Sequence, residues 1–251
     1  MRGVDYIYAD LTDAHGRSPY FFGCNDGKIR ELIRRIVRPG DTVLDVGASY
    51  GGFSLLAARL VGPSGHVHAF EPQRRQADML TRSAEANGFR QLTIHPVALS
   101  DREGEATMYL FEPDSGFTSF SRPEPGHRRT EISVQVMRGD NCLDKLNIDS
   151  IRLLKIDTEK HEDAVLRGAA SFLNEKPPAY IIFEHYDPLA PFWEAPVIRQ
   201  LLEMGYRRLF EIPRTLLRVH VRPLKPGVAP HRLSENFVAL HQSADESTLR
   251  P

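Results

Sequence analysis

The chain has 251 residues, a net charge of -1, and 41% hydrophobic and 26% charged residues. These are ordinary values for a globular protein, long enough for one large α/β domain or two small ones and for a core that needs no covalent staples. The near-zero charge leaves no electrostatic footprint for nucleic acid or an anionic membrane, and short basic pairs such as Arg34-Arg35 and Arg207-Arg208 read as solvated surface.

Residues 1–25 are mixed in character and carry Tyr20, Phe21 and Phe22 after Pro19, which suggests an irregular lead-in or a lid. Ile29, Leu32, Ile33 and Ile36 recur at helical spacing until Pro39-Gly40 stops them. A strand over 42–46 runs into a glycine-bearing loop, Gly47 to Gly52, and a helix from Phe53 to Val61. After the turn Gly62-Pro63-Ser64-Gly65 comes a strand over His66–Phe70 that ends in Glu71-Pro72, then a helix marked by Ala77, Leu80 and Ala84 and closed by Asn87-Gly88. A third strand is expected over Leu92–Leu99. Strands alternating with helices predict parallel βαβ units in a doubly wound sheet.

The alternation breaks at about 104–137, where Ala106–Phe111 and Ile132–Val136 read as strands of a β-rich insertion around a polar loop. The sheet resumes with Ile151–Ile156, a helix over 162–173 and the apolar strand Tyr180–Phe183. A helix over Val197–Met204 and antiparallel strands over Leu209–Ile212, Leu216–Val221 and Phe237–Leu240 complete the pattern. The reading thus gives a lead-in and helix over 1–38, a main body over 39–242, and a polar, frayed tail over 243–251. Cys24 and Cys142 form no zinc or CxxC spacing, so a reducing cytoplasm is expected. No signal peptide and no membrane-spanning run are expected, and a homo-oligomer is left open.

The loop after the first strand carries the chemistry. Glycine admits backbone close to a ligand, and an acid some two dozen residues on, here Glu71, is where nucleotide-binding sheets grip ribose hydroxyls. The spacing Gly47-x-x-x-Gly51-Gly52 is not the G-x-G-x-x-G of a dinucleotide site. Asp45 near the loop would repel a pyrophosphate but suits a cationic amino-acid group, which favours S-adenosylmethionine over a nicotinamide cofactor.

Asp45-Val46-Gly47-Ala48-x-x-Gly51 resembles the first motif of class I methyltransferases, and Phe70-Glu71-Pro72 resembles their second. Val97-Ala98-Leu99-Ser100-Asp101 with Gly104, Leu154-Lys155-Ile156-Asp157-x-Glu159-x-His161-Glu162, and Val165-Leu166-x-Gly168-Ala169 resemble the FkbM family in particular. The resemblance implies a Rossmann-like fold with a doubly wound, mostly parallel, seven-stranded sheet, and methyl transfer from S-adenosylmethionine to a hydroxyl of a secondary metabolite or sugar. It implies that Asp45, Gly47, Ala48, Ser49 and Gly51 hold the methionine portion, and that Glu71, beside Pro72, takes the ribose. It further implies that Ala98, Ser100 and Asp101 border the adenine, and that Asp157 and Glu159 lie beside the methyl group. Two positions depart from the family pattern: Ser49 stands where Asn is common, and Lys160 where Gly is common.

Plainer readings stand beside these. Asp45 could cap the loop, Glu71 could be a surface acid, and Ser100-Asp101 suits a turn before Gly104. An alcohol is a weak nucleophile, so a base or a metal ion would help its methylation. Asp157, Glu159, His161 and His185 are the candidate catalytic groups, although either histidine could be a packed or surface residue. Asp157, Glu159 and Glu184 could form a hard-cation site, but nothing in their spacing demands one, and no metal is assigned. Ser115–Phe120 could line an acceptor pocket, and Trp193 could form a wall or anchor a loop. Nitrogen methylation, or a binding module without turnover, remain the alternatives.

Overall fold

The computed structural model describes residues 6–13, 15–18, 26–111, 120, 129–187, 191–213, 219–231 and 234–250. Helix α1 (Gly27–Ile36) leads into β1 (Thr42–Val46), α2 (Gly52–Val61), β2 (His66–Phe70), α3 (Arg74–Ala86) and β3 (Leu92–His95). Next come β4 (Ala98–Ser100), β5 (Gly104–Phe111), β6 (Arg129–Arg138), α4 (Gly139–Leu143), β7 (Leu153–Ile156), α5 (Glu162–Gly168) and α6 (Ala170–Glu175). The chain continues with β8 (Tyr180–Glu184), α7 (Pro196–Glu203), β9 (Arg208–Ile212), β10 (Arg222–Pro223) and β11 (Asn236–Leu240).

The main sheet has the order β10-β9-β11-β8-β7-β1-β2-β3. The pairs from β8 through β3 are parallel, while β11 runs antiparallel to both β8 and β9. This is the expected seven-stranded sheet, with the two-residue β10 added at one edge. Residues alternate between the faces as the period of two demands. Val43, Val67, Leu153 and Ile182 pack under α1 and α2, and Leu44, Phe70, Leu154 and Ile181 pack under α5 and α7. Strand order reverses between β1 and β7, and the register places Val46 beside Ile156. The chain therefore leaves both strands at adjacent points, Gly47 and Asp157. A crevice at such a reversal is where open α/β sheets bind ligands.

The expected third strand divides. Pro96 lacks a backbone N–H and ends the ladder after His95. The chain then crosses into a second sheet of order β4-β6-β5, where β4 is parallel to β6 and β5 is antiparallel to it. The expected helix over 162–173 is also two helices, broken at Ala169. Gly168 lies so close to β4 that a Cβ there would meet the Ser100 carbonyl oxygen at 1.7 Å. That contact fixes where α5 ends. Of the expected strand over Leu216–Val221, residues 214–218 lie outside the described set, and pairing begins only at Arg222. The tail is not frayed: Ala244 and Leu249 are buried in the core, and Arg35 donates to the Leu249 carbonyl. Cys142 is buried and forms no disulfide, while Cys24 lies outside the described residues. Among the described residues no helix is long and apolar enough to cross a membrane.

Candidate active site

The loop after β1 is folded against both neighbouring strands. Gly47 and Ala48 donate their N–H groups to the Phe70 carbonyl at 3.0 and 3.1 Å. Gly47 adopts φ +81°, and a Cβ on it would lie 1.8 Å from the Asp157 carbonyl oxygen, so only glycine fits. Glu71 at the end of β2 closes the loop from the side. Its Oε2 accepts from the Ser49 N–H at 2.7 Å and its Oε1 from the Gln73 N–H at 2.8 Å. Burial raises the Glu71 carboxyl to about 7, against the opposing pull of those two N–H donors.

Beneath the loop lies a residue to which the sequence reading gave no role. Lys155, in the middle of the apolar β7, is 4% exposed. Its Nζ sits 3.2 Å from Asp45 Oδ1, 3.3 Å from Asp157 Oδ2 and 3.3 Å from the Gly47 carbonyl, and 5.0 Å from the centre of the Phe53 ring. Burial alone would lower its pKa, but Asp157 and Asp45 override it and hold the amine above the ordinary lysine value. The available signal was a lysine in a strand otherwise apolar. Asp45 is consequently tied down, with Oδ2 accepting from Ser54 Oγ at 2.6 Å. It supports the loop from below and does not line the cavity, contrary to the expectation that it meets a cationic ligand group directly.

One cavity of about 460 Å³ opens above the sheet reversal. Of the predicted cofactor residues, Gly47, Ala48, Ser49, Glu71, Pro72 and Ala98 line it. Of the predicted catalytic and metal residues, Asp157, Glu159, His161 and Glu184 line it. Gly51, Ser100, Asp101 and His185 do not. Gly51 caps α2. His185 turns away: its N–H donates to the Glu235 carbonyl and its ring meets Phe192 edge-on at 5.9 Å. Phe120 lines the cavity, whereas 112–119 and the proposed lid residues Tyr20, Phe21 and Phe22 lie outside the described set. Trp193 anchors a loop by donating to the Val228 carbonyl at 2.7 Å. Arg30, Glu235 and Asn236 also line the cavity and were not foreseen.

Ser100 and Asp101 act behind His161. Ser100 Oγ lies 2.9 Å from His161 Nε2 and donates over a longer 3.3 Å to Asp101 Oδ1. Arg167 fixes Asp101 from the far side at 2.9 Å and, by hydrogen bonding, lowers its pKa. With the hydroxyl hydrogen directed at Asp101, the Ser100 oxygen accepts from His161 Nε2–H, and the tautomer this selects leaves Nδ1 as the basic nitrogen. Burial lowers the His161 pKa, so the imidazole is neutral at pH 7, and the Phe120 ring tilts against it at 4.5 Å.

Across the cavity Asp157, Glu159 and Glu184 each offer a carboxylate oxygen, all within 4.8 Å of one another. Such a group can hold a cation or share protons. Burial, then the charges of Asp157, Glu159, Glu162 and Glu235, push the Glu184 carboxyl up to about 9, so it carries its proton at neutral pH.

The family model described as the methyltransferase FkbM domain matches residues 45–208, more than half of the chain. The chain belongs to the FkbM methyltransferase family. It is 32% identical over 163 residues to the 31-O-demethyl-FK506 methyltransferase FkbM of Streptomyces tacrolimicus, covering 53% of this chain and 60% of that protein. A protein-L-isoaspartate O-methyltransferase of Aeropyrum pernix is 36% identical over 89 residues, 36% of this chain and 33% of that one. The match thus spans less than two thirds of either relative. Among solved structures, the methyltransferase FkbM of Methylobacillus flagellatus superposes with a TM-score of 0.48 at 14% identity, over 84% of this chain and 50% of that chain. A SAM-dependent O-methyltransferase of Thermotoga maritima gives 0.46 at 17% identity, over 88% and 67%.

The two departures from the FkbM pattern share a physical cause. Ser49 has φ +51° and Lys160 has φ +74°. Asn and Gly, the common residues there, tolerate this left-handed backbone, whereas Ser and Lys adopt it at a cost. The strain is borne by the backbone of the two loops that follow β1 and β7, on either side of the crevice.

Proposed function

We propose that this FkbM methyltransferase moves a methyl group from S-adenosylmethionine to a hydroxyl oxygen of a small-molecule acceptor, with His161 receiving the hydroxyl proton. The observation that carries the reading is one cavity lined by a bare glycine loop, a buried acid and a half-buried imidazole held by Ser100. Two features favour the donor. The Gly47 backbone is exposed to the cavity without a side chain, and Ser49 Oγ is shielded from solvent with no hydrogen-bond partner among the described residues. A bound polar ligand would satisfy that hydroxyl.

The donor supplies a methyl group on a sulfonium, which departs as a neutral thioether when the carbon–sulfur bond breaks and the carbon–oxygen bond forms. The residues of this chain hold and orient. The loop at Gly47, Ala48 and Ser49 takes the methionine portion, Glu71 accepts from the ribose hydroxyls, and Pro72 and Ala98 border the base. Lys155 keeps the loop in shape through Asp45 and the Gly47 carbonyl. His161 is the preferred base because Glu184 is protonated at neutral pH and Asp157 is held by Lys155. Support for oxygen comes from the names of the two curated relatives, both O-methyltransferases. The acids Asp157, Glu159 and Glu184 favour a second reading, in which a basic amine docks as a cation and is methylated on nitrogen.

The test is turnover with isotopically methyl-labelled donor on a panel of hydroxyl and amine compounds, with the methylated atom located by NMR. At saturating donor, His161→Gln lowers kcat by about 10²–10⁴-fold. The wild-type kcat falls as pH drops through a midpoint below 6.5, because a base must be unprotonated and burial lowers this one. Normal turnover by His161→Gln, or an unchanged acid limb, removes His161 from this role. A product methylated on nitrogen decides for the second reading.

A further inference from the structure

Strand β2 reads His66-Val67-His68-Ala69-Phe70, and it sorts its side chains by face. Val67 and Ala69 enter the core on the side of α1 and α2, so the period of two sends His66, His68 and Phe70 to the other face. The neighbouring β3 adds His95 to that face. His95 pairs in register with Phe70, and its ring stacks on the Phe70 ring at 4.6 Å. His68 Nδ1 lies 3.2 Å from His95 Nε2. The His66 ring lies within 12° of parallel to that of His68, with centres 6.4 Å apart. Three imidazoles thus gather on the last two strands of the sheet, and none of them lines the cavity.

The group is open on one side: His68 and His95 are half-buried, while His66 and Thr93 are exposed. Among the described residues, His68 and His95 hydrogen-bond to each other and neither pairs with a carboxylate. Burial, with the neighbouring imidazoles of His95 and His66, lowers the His68 pKa to about 4, and burial lowers that of His95. Both rings are therefore neutral at pH 7, and each keeps a nitrogen lone pair. Two nitrogens bound to one tetrahedral zinc ion at about 2.0–2.1 Å lie about 3.3 Å apart. The 3.2 Å between His68 and His95 already matches that spacing. His66, exposed and two residues along the same face, reaches the pair by changing its χ1 rotamer.

We propose that His66, His68 and His95 form a binding site for zinc or a similar imidazole-preferring divalent ion at the β2–β3 edge. The proposal is independent of the donor reading. Imidazole suits zinc, copper and nickel, whereas the carboxylates of Asp157, Glu159 and Glu184 suit harder cations, so the two groups select different ions. Three imidazole ligands and a water in the fourth position complete a zinc site. On binding, the hydrogen between His68 and His95 moves to the outer nitrogen of its own ring, so no proton leaves the pair. The ion clamps β3 to β2 directly before Glu71, whose N–H donates to the His95 carbonyl at 3.0 Å. Its role is structural: it braces the strand end that carries the buried acid into the cavity.

The test is titration calorimetry of the full chain, free of any affinity tag, with zinc ion alone as the probe. The expected result is one zinc ion per chain at saturation. Affinity falls at least about 10-fold in each of His66→Gln, His68→Gln and His95→Gln, because losing a ligand costs no less than losing a group behind one. Zinc also raises the melting temperature of the wild-type protein, since it binds the folded state. Where a variant does not fold, NMR of the wild-type histidine rings carries the test: zinc shifts the signals of all three. An unchanged affinity in any folded variant overturns the proposal, as do ring signals that stay in place or a wild-type protein that binds no zinc. An equal loss of affinity in Glu184→Gln overturns it too, because the ion then sits at the acids.

Discussion

Replacing Lys155 by Met is the sharpest probe of how the site is held together. The substitution keeps length and apolar bulk and removes one charge. The side chains of Lys155 and Asp45 are only 5% and 2% exposed, so water cannot replace the lost partner. Asp45 would keep the Ser54 hydroxyl at 2.6 Å but would stand as an uncompensated buried carboxylate. Breaking one side of such a pair costs about 3–5 kcal/mol, a large part of the roughly 5–15 kcal/mol that holds a domain folded. In a chain of this size that corresponds to a fall in melting temperature of about 6–20 °C. Urea denaturation measures it as a lower midpoint at constant slope. Removing both charges, in Asp45→Asn/Lys155→Met, recovers most of the loss, because no buried charge is then left alone. Since the Lys155 pKa is raised, its stabilisation is fully present below about pH 10.4 and is lost only above that, as pH rises through the folded value. The titration of Lys155 itself thus adds no pH dependence from pH 6 to about 9. A loss under about 1 kcal/mol, or a double variant as unstable as the single, refutes the reasoning.

Lys160→Gly relieves the φ of +74° and raises stability by about 1 kcal/mol, read as about 2–4 °C in melting temperature. Lys160→Ala, which removes the amine but not the Cβ, stays within about 0.5 kcal/mol of wild type; a gain as large as that of glycine would assign the cost to the amine instead. The ionised Glu71 carboxylate is the stronger acceptor for hydroxyls, and burial raises its pKa to about 7, so donor affinity weakens as pH falls below that value. Titration of S-adenosylhomocysteine across pH shows this slope in wild type and its absence in Glu71→Gln; a flat wild-type profile contradicts the role. Gly47→Ala places a Cβ 1.8 Å from the Asp157 carbonyl oxygen and abolishes binding of S-adenosylhomocysteine; retained binding would mean that the crevice yields.

The fold was largely legible because parallel strands buried on both faces announce themselves as short apolar runs between glycine-marked turns. That the glycine loop and Glu71 meet was legible for the same reason: they lie within one βαβ unit, where spacing alone brings them together. What escaped depends on contacts between segments distant in sequence. Lys155 has a role only because β1 and β7 are neighbours, which sets Asp45, Asp157 and Gly47 around one amine. The family resemblance implied that Ser100 and Asp101 border the adenine, but α5 docks on β4 through Gly168 and puts them behind His161. The helix break at Ala169 follows from that same docking. Arg30 belongs to a helix whose apolar stripe was recognised, while the side chain at its edge was not. At Ser49 and Lys160 the departures were visible in the chain, and only the backbone angles give their common meaning.

The central claim is that the cavity between β1 and β7 receives S-adenosylmethionine. Titration calorimetry of the full chain with S-adenosylhomocysteine, alongside NAD, tests it most directly. The account predicts saturable binding of one S-adenosylhomocysteine per chain, with heats lost in Gly47→Ala, and no matching response to NAD. Absence of binding by S-adenosylhomocysteine, or equal binding of NAD, would contradict it.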